Sequence, residues 1–345
     1  MIVGAPTHAT GYHTLPPNLK NHQATNPGAI YACHLNKPHC EIINLELANV
    51  AVRNETIDNI RYYGPIDQNT NCTDQWLGAS LITSGRPGGL ILACAPRWKQ
   101  RRGQTNTANE EESQPGQCWF MKFDPKTNKI VDVSGTGNSK FFRSPVYGKT
   151  RLEARRFPAV KYKFKHASFG TGLAISSDDS TYALGGPGAW SFSGSIVGVD
   201  LNMPNSPKIS ENNNYQFYST DKCRQDSRQV VASKMCEGQD ISYSSYNGYD
   251  IVISETMLKS RERLFISGTP NADNTGAVVF LKKMGNGLKS EKAGILRARD
   301  LFKVPGYDRP GFYQMGTSFG YAVLNVDLNG DGMDDLVVSA PQYSE

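Results

Sequence analysis

Apolar residues along this chain come in short runs, each closed off by glycine or proline. The runs at 79–82, 173–175, 251–253 and 321–326 are rich in β-branched and aromatic residues, the composition of strands rather than helices. No segment carries the 3.6-residue period of an amphipathic helix. Downstream of each run stands a small-x-Pro tripeptide: Cys94-Ala-Pro96, Gly185-Gly-Pro187, Gly268-Thr-Pro270 and Ser339-Ala-Pro341. A fifth copy, Gly4-Ala-Pro6, opens the chain, and successive copies begin 71 to 91 residues apart. Four copies are preceded by a residue followed by glycine: Leu77-Gly78, Phe169-Gly170, Asn247-Gly248 and Phe319-Gly320. Glycine at a strand start lets backbones approach closely, and proline ends a strand because it cannot donate to the ladder. After each proline comes a loop and then another apolar strand, such as Ala277-Val-Val-Phe-Leu281. Self-similarity at a long period marks a repeat architecture, such as a propeller.

The last repeat contains Asp327-Leu-Asn329-Gly-Asp331-Gly-Met333-Asp-Asp335. Oxygen-bearing side chains at alternate positions, with glycine at the turn, are how a short loop wraps hard oxygen ligands around Ca²⁺. The expected ligands are Asp327, Asn329, Asp331, the Met333 carbonyl and Asp335. An acidic turn that holds no metal is the alternative reading. The loop is not an EF-hand, because the twelfth position is Val338 rather than Glu and both flanks read as strands.

Taken together, the Phe-Gly … small-Ala-Pro repeat and its embedded acidic loop resemble the FG-GAP repeats of integrin alpha-subunit ectodomains. The resemblance extends across essentially the whole chain. It implies an all-β fold, part of a seven-bladed β-propeller of four-stranded antiparallel blades. About four to five blades would be present in one domain, 1–345, with repeats at roughly 1–50, 65–125, 160–202, 240–285 and 310–345. Asp74-Gln-Trp76-Leu-Gly78, Pro87-Gly-Gly89, Gly276-Ala-Val-Val279 and Ala340-Pro-Gln-Tyr343 look most like the laminin-binding branch.

The resemblance also implies partners and places them. The chain would pair with an integrin beta subunit and help bind an extracellular-matrix protein such as laminin. A basic side chain of the beta subunit would enter an aromatic cage on the propeller's upper face, with Trp76, Phe169, Trp190 and Tyr246 as candidates. Core packing is the alternative role for each of these rings. Calcium loops lie on the opposite rim, so 327–335 would be structural. The segment between Cys118 and Phe169 is too short for an inserted ligand-binding domain. Members that hold Arg-Gly-Asp use carboxylates near the third blade. Here Val199 stands where one is needed, beside Asp200, and 155–160 has no carboxylate, so the expectation is against Arg-Gly-Asp. The fourth repeat, 251–264, lacks an alternating acidic series, and no metal is expected there.

Composition changes this picture little. The 345 residues include 33 Gly and 19 Pro, and the net charge of +5 is too dispersed for a nucleic-acid reader. The densest basic cluster, 97–102, reads as a solvated loop. Seven cysteines suit an oxidising compartment. The resemblance implies disulfides Cys33–Cys40 and Cys94–Cys118; spacing alone suggests Cys223–Cys236, with Cys72 left over. Cys33-His34 and His39-Cys40 do not have the spacing of a zinc finger. Sequons at Asn54 and Asn71 point to glycosylated surface loops.

No apolar run approaches membrane-spanning length. Both ends fall inside blades, as expected of a fragment from the extracellular part of a type I single-pass plasma-membrane protein. Gly316-Thr-Ser318-Phe-Gly320 matches the nucleophile-elbow pattern, but a strand follows it where the elbow needs a helix. The expectation is a non-catalytic cell-surface receptor ectodomain. The alternative is a propeller appended to a secreted phospholipase D-like enzyme or a carbohydrate-binding protein.

Overall fold

The computed structural model describes residues 1–8, 26, 28–33, 39–43, 55–57, 60–62, 70–71, 74–102, 111–124, 129–131, 166–200, 216–219, 244–284, 287–301 and 315–343. The described chain is all-β, built of antiparallel sheets of the kind that make propeller blades, with only short helical turns. It divides into two compact units, Met1–Ser144 with Ser168–Gly170, and Pro145–Ala167 with Thr171–Glu345.

In the first unit, β1 (Ile2–Ala5), β2 (Ala29–Cys33) and β3 (Cys40–Ile42) form an antiparallel three-stranded sheet. A hairpin of β4 (Glu55–Ile57) and β5 (Ile60–Tyr62) follows, then β6 (Thr70–Asn71). The second repeat supplies β7 (Ser80–Thr83) and β8 (Leu90–Ala95). Its excursion carries β9 (Lys99–Arg102) and β10 (Glu111–Ser113), and β11 (Gln117–Asp124) and β12 (Lys129–Val131) close it. The spatial order β12-β11-β8-β7 is one complete antiparallel blade.

The basic cluster at 97–102 is not simply a solvated loop. Residues 99–102 form the middle strand of a separate β10-β9-β6 sheet. Arg102 stands opposite Glu111, Arg101 opposite Glu112, and Lys99 opposite Asn71. A run with no apolar alternation thus forms a strand through main-chain pairing on both sides.

The second unit holds two more four-stranded blades. One is β13 (Leu173–Ile175), β14 (Thr181–Gly186), β15 (Ser195–Asp200) and β16 (Gln216–Ser219). The other is β17 (Asp250–Ser254), β18 (Leu264–Thr269), β19 (Ala277–Met284) and β20 (Gly287–Arg297). Their outer strands β16 and β20 pair in parallel, joining the two blades into an eight-stranded sheet. The fifth repeat contributes the antiparallel pair β21 (Val323–Val326) and β22 (Asp335–Val338).

Burial follows strand position. The second strands of the three complete blades, β8, β14 and β18, are buried at every residue. Strands covered on both faces lose the apolar-polar alternation and become continuously small or apolar. Ala174, Ala183 and Ile196 of one blade pack against Ile251, Phe265 and Val279 of the next. Phe319 and Val323 pack onto Ile266 and Val278 in the same way. Each fully buried Ile or Phe contributes about 1.5–3 kcal/mol.

Where successive repeats meet, the contact is backbone on backbone. A Cβ added at Gly4, Gly185 or Gly268 would sit 2.0, 1.8 or 2.0 Å from the carbonyl oxygen of Gly78, Gly248 or Gly320. The glycine of each small-x-Pro therefore faces the glycine that starts the next repeat. Gly28, Gly194 and Gly276 make parallel bridges to Leu77, Asn247 and Phe319 beside these contacts. Cys94 takes the glycine's place in the second repeat, and a Cβ on the facing Gly170 would lie 2.4 Å from Cys94 Cβ and 2.7 Å from Cys118 Sγ.

Candidate functional site

The acidic loop is the turn between β21 and β22. Its glycines are required by backbone conformation, since Gly330 and Gly332 have φ of 76° and 80° and open space around them. Asp327 Oδ1 accepts the amides of Gly330 and Asp331 at 2.7 and 3.1 Å, and its Oδ2 accepts that of Gly332 at 2.8 Å. Asn329 Oδ1 takes the Asp331 amide at 2.9 Å, and Asp331 Oδ1 takes the Met333 amide at 2.8 Å. Asp335 Oδ2 accepts the Leu328 amide at 3.0 Å, which ties the loop's end to its beginning.

In this conformation the side chains face the loop's own amides. Among the described residues no three acidic, His or Cys side chains are gathered as a metal-binding group. The donor set nonetheless suits a hard cation. Each carboxylate offers about four lone-pair positions and uses at most three here. Among the described residues no Lys or Arg forms an ion pair with Asp327, Asp331 or Asp335. Asp334, absent from the expected ligand set, is turned the other way. Its Oδ2 accepts the Ser254 hydroxyl at 2.6 Å and Asn325 Nδ2 at 2.8 Å. Burial disfavours its charge, but hydrogen bonds from Ser254, Asn325 and Thr256 outweigh that and hold the carboxyl below its ordinary value. Sequence pattern could not single it out, because its partner lies 80 residues upstream.

The four candidate aromatics do not share one position. Trp76, Ser168, Tyr246 and Ser318 are equivalent, each two residues before the repeat's first glycine and each with φ between 53° and 64°. That left-handed twist turns the side chain out of the strand path. Trp76 is 39% exposed, with the Arg97 guanidinium 4.7 Å above its ring, a cation–π contact. Tyr246 meets the exposed Phe192 edge-to-face at 6.1 Å. Phe169 is a correction. It occupies the next position, with Leu77, Asn247 and Phe319, and all four are buried at 0–5% exposure. In the described structure its ring packs and presents no surface to a partner. Trp190 lies in the short helix Ala189–Phe192, and its side chain is outside the described residues.

Cys33 is joined to Cys40 and Cys94 to Cys118. Asn71 ends β6, an edge strand beside Lys99. Cys223, Cys236 and Asn54 lie outside the described residues.

An FG-GAP repeat model matches residues 319–345, the segment that holds the acidic loop. Integrin alpha-6 of Gallus gallus is 29% identical over 271 residues, covering 78% of this chain and 21% of its own length. Integrin alpha-7 of Rattus norvegicus is 25% identical over 348 residues, covering 100% of this chain and 24% of its own length. Integrin alpha-PS2 of Drosophila melanogaster is 24% identical over 356 residues, again covering 100% of this chain and 21% of its own. The chain is similar to integrin alpha subunits. It spans 21–24% of the length of these relatives. Three of the described contacts between its repeats use the same glycine-to-carbonyl approach.

Proposed function

We propose that residues 1–345 are part of an integrin-alpha-type propeller in a cell-surface adhesion receptor. The chain pairs with an integrin beta subunit, and the heterodimer binds an extracellular-matrix protein, laminin rather than an Arg-Gly-Asp ligand. The observation that carries the reading is the match to integrin alpha chains along the full length, with the glycine contacts between repeats as its physical basis. A basic side chain of the beta subunit is attracted to the π-face of an exposed ring, and Trp76 is the candidate that offers one. The absence of a carboxylate at Val199 supports the preference against Arg-Gly-Asp.

Asp327, Asn329, Asp331, the Met333 carbonyl and Asp335 hold Ca²⁺, which supplies the charge that lets three carboxylates share one turn. The role is structural, stiffening the β21–β22 hairpin. Cys223–Cys236 is proposed as a third disulfide, and Asn54 and Asn71 as glycan sites.

The test is co-precipitation of the chain with integrin beta subunits from cells that express both, in Ca²⁺ and in EDTA. Recovery in Ca²⁺ and loss in EDTA are expected, with weaker recovery for Trp76→Ala. Failure to recover any beta subunit in Ca²⁺ would overturn the pairing.

A further inference from the structure

Three successive repeats place the turn between their first and second strands at the same end of the sheet: 176–180, 255–263 and 327–334. The last contains four Asp if Asp335 is included, and no basic residue. The middle one has three basic and two acidic residues, a balance that disfavours a metal cation. Arg263, its final residue, directs its fork back across the hairpin. Nε donates to Glu255 Oε1 at 2.8 Å, and one terminal nitrogen bonds the same oxygen. That nitrogen also reaches Asp178 Oδ2 at 3.1 Å in the preceding repeat. The other terminal nitrogen donates to Ser180 Oγ at 3.1 Å and to Thr181 Oγ1.

A guanidinium has five N–H donors, and five hydrogen bonds are made. The acceptors are themselves fixed. Asp178 Oδ1 accepts the Ser176 hydroxyl at 2.6 Å and the Ser180 amide at 2.9 Å, while the Ser177 hydroxyl donates to the second oxygen of Glu255. Arg263 is 27% exposed and Glu255 28%, so this is no freely solvated surface pair.

We propose that Arg263 is a built-in cation. It closes the fourth-repeat hairpin and ties it to the third-repeat turn, where the fifth repeat offers its acidic loop to a metal. The third and fourth repeats are therefore held without divalent cations, and chelation loosens only the fifth. The contrast with the fifth repeat rests on the calcium reading above; the clamp itself does not.

Hydrogen exchange of the full chain, read by mass spectrometry in Ca²⁺ and in EDTA, tests this. In the wild type, EDTA is expected to speed exchange in 327–335 and to leave 176–181 and 255–263 unchanged. Arg263→Met is expected to speed exchange about tenfold in both 176–181 and 255–263, with or without Ca²⁺, because charged hydrogen bonds are lost at both ends. Arg263→Lys keeps the charge and stem but has three donors and no planar fork; the same two segments should loosen, by a smaller factor. It decides the question if the Met variant does not fold. The proposal is overturned if neither variant changes 176–181, or if EDTA opens 255–263 in the wild type. Indifference of 327–335 to EDTA would count against the calcium reading alone.

Discussion

Gly185→Ala tests the glycine contact between repeats most directly. The added methyl carbon would lie 1.8 Å from Gly248 O, 2.7 Å from Gly248 C and 3.0 Å from Gly248 Cα. All three are backbone atoms, so no rotamer change can relieve the overlap. To reach even 3.0 Å from the oxygen, the two backbones must part by about 1.2 Å. That movement pulls Ala183 and Ile196 away from Ile251 and Phe265, which share one core. A gap of 0.5–1 Å already forfeits a quarter to a half of each dispersion contact. Overpacking a tight core typically costs about 1–3 kcal/mol, and a clash with fixed backbone belongs at or above the upper end. At roughly 2–4 °C per kcal/mol for a unit of this size, the melting temperature should fall by about 6–12 °C. Gly85→Ala is the control. Gly85 has φ of 72° and nothing within 4 Å of the added carbon, so only left-handed strain of about 1 kcal/mol applies. Differential scanning fluorimetry of the purified chain compares the two. If Gly185→Ala melts no lower than Gly85→Ala, the close approach does not hold the repeats together.

Ser254→Ala removes the 2.6 Å hydrogen bond to Asp334 and should cost about 1 kcal/mol, since Asp334 is partly solvated; hydrogen exchange should rise in 327–335 while Cys33–Cys40 is untouched. Asp178 also gives a pH dependence. Burial disfavours its charge, but hydrogen bonds from Ser176 and Ser180 and the Arg263 guanidinium prevail and hold its carboxyl below the ordinary value of 3.8. A depressed folded-state value means the ionised form stabilises the fold above that pH, and the contribution is lost as pH falls further. Denaturant midpoints between pH 5 and pH 2 should therefore fall less steeply in Asp178→Asn than in the wild type. Replacing Cys94 and Cys118 together by Ser opens a 24-residue loop and should cost about 3 kcal/mol in a denaturant melt of the chain.

The repeat was legible because its marks are physical necessities. Glycine sits where backbones touch and proline where a strand must stop, so both survive in the sequence as punctuation. The aromatic candidates were harder to place. Phe169 and Trp76 are one residue out of phase, and only the positive φ at Trp76, Ser168, Tyr246 and Ser318 separates the outward position from the buried one. The strand at 99–102 was hidden because it carries no apolar alternation and its main-chain partner, 111–113, lies beyond an intervening polar stretch. Likewise, Arg263 stands in an unremarkable run of charges. Its role depends on Asp178 and Thr181, more than 80 residues away in the chain.

A joint made only of main-chain atoms is indifferent to which side chains surround it. Gly4 against Gly78, Gly185 against Gly248 and Gly268 against Gly320 are the same fitting repeated. Units that carry these two glycines keep the same main-chain fitting whatever their loops carry, provided the apolar residues beside it, such as Ile196 and Ile251, still pack. A gene built this way can gain, lose or diversify units while each new neighbour meets a familiar socket. Substitutions confined to the loops leave these main-chain fittings untouched.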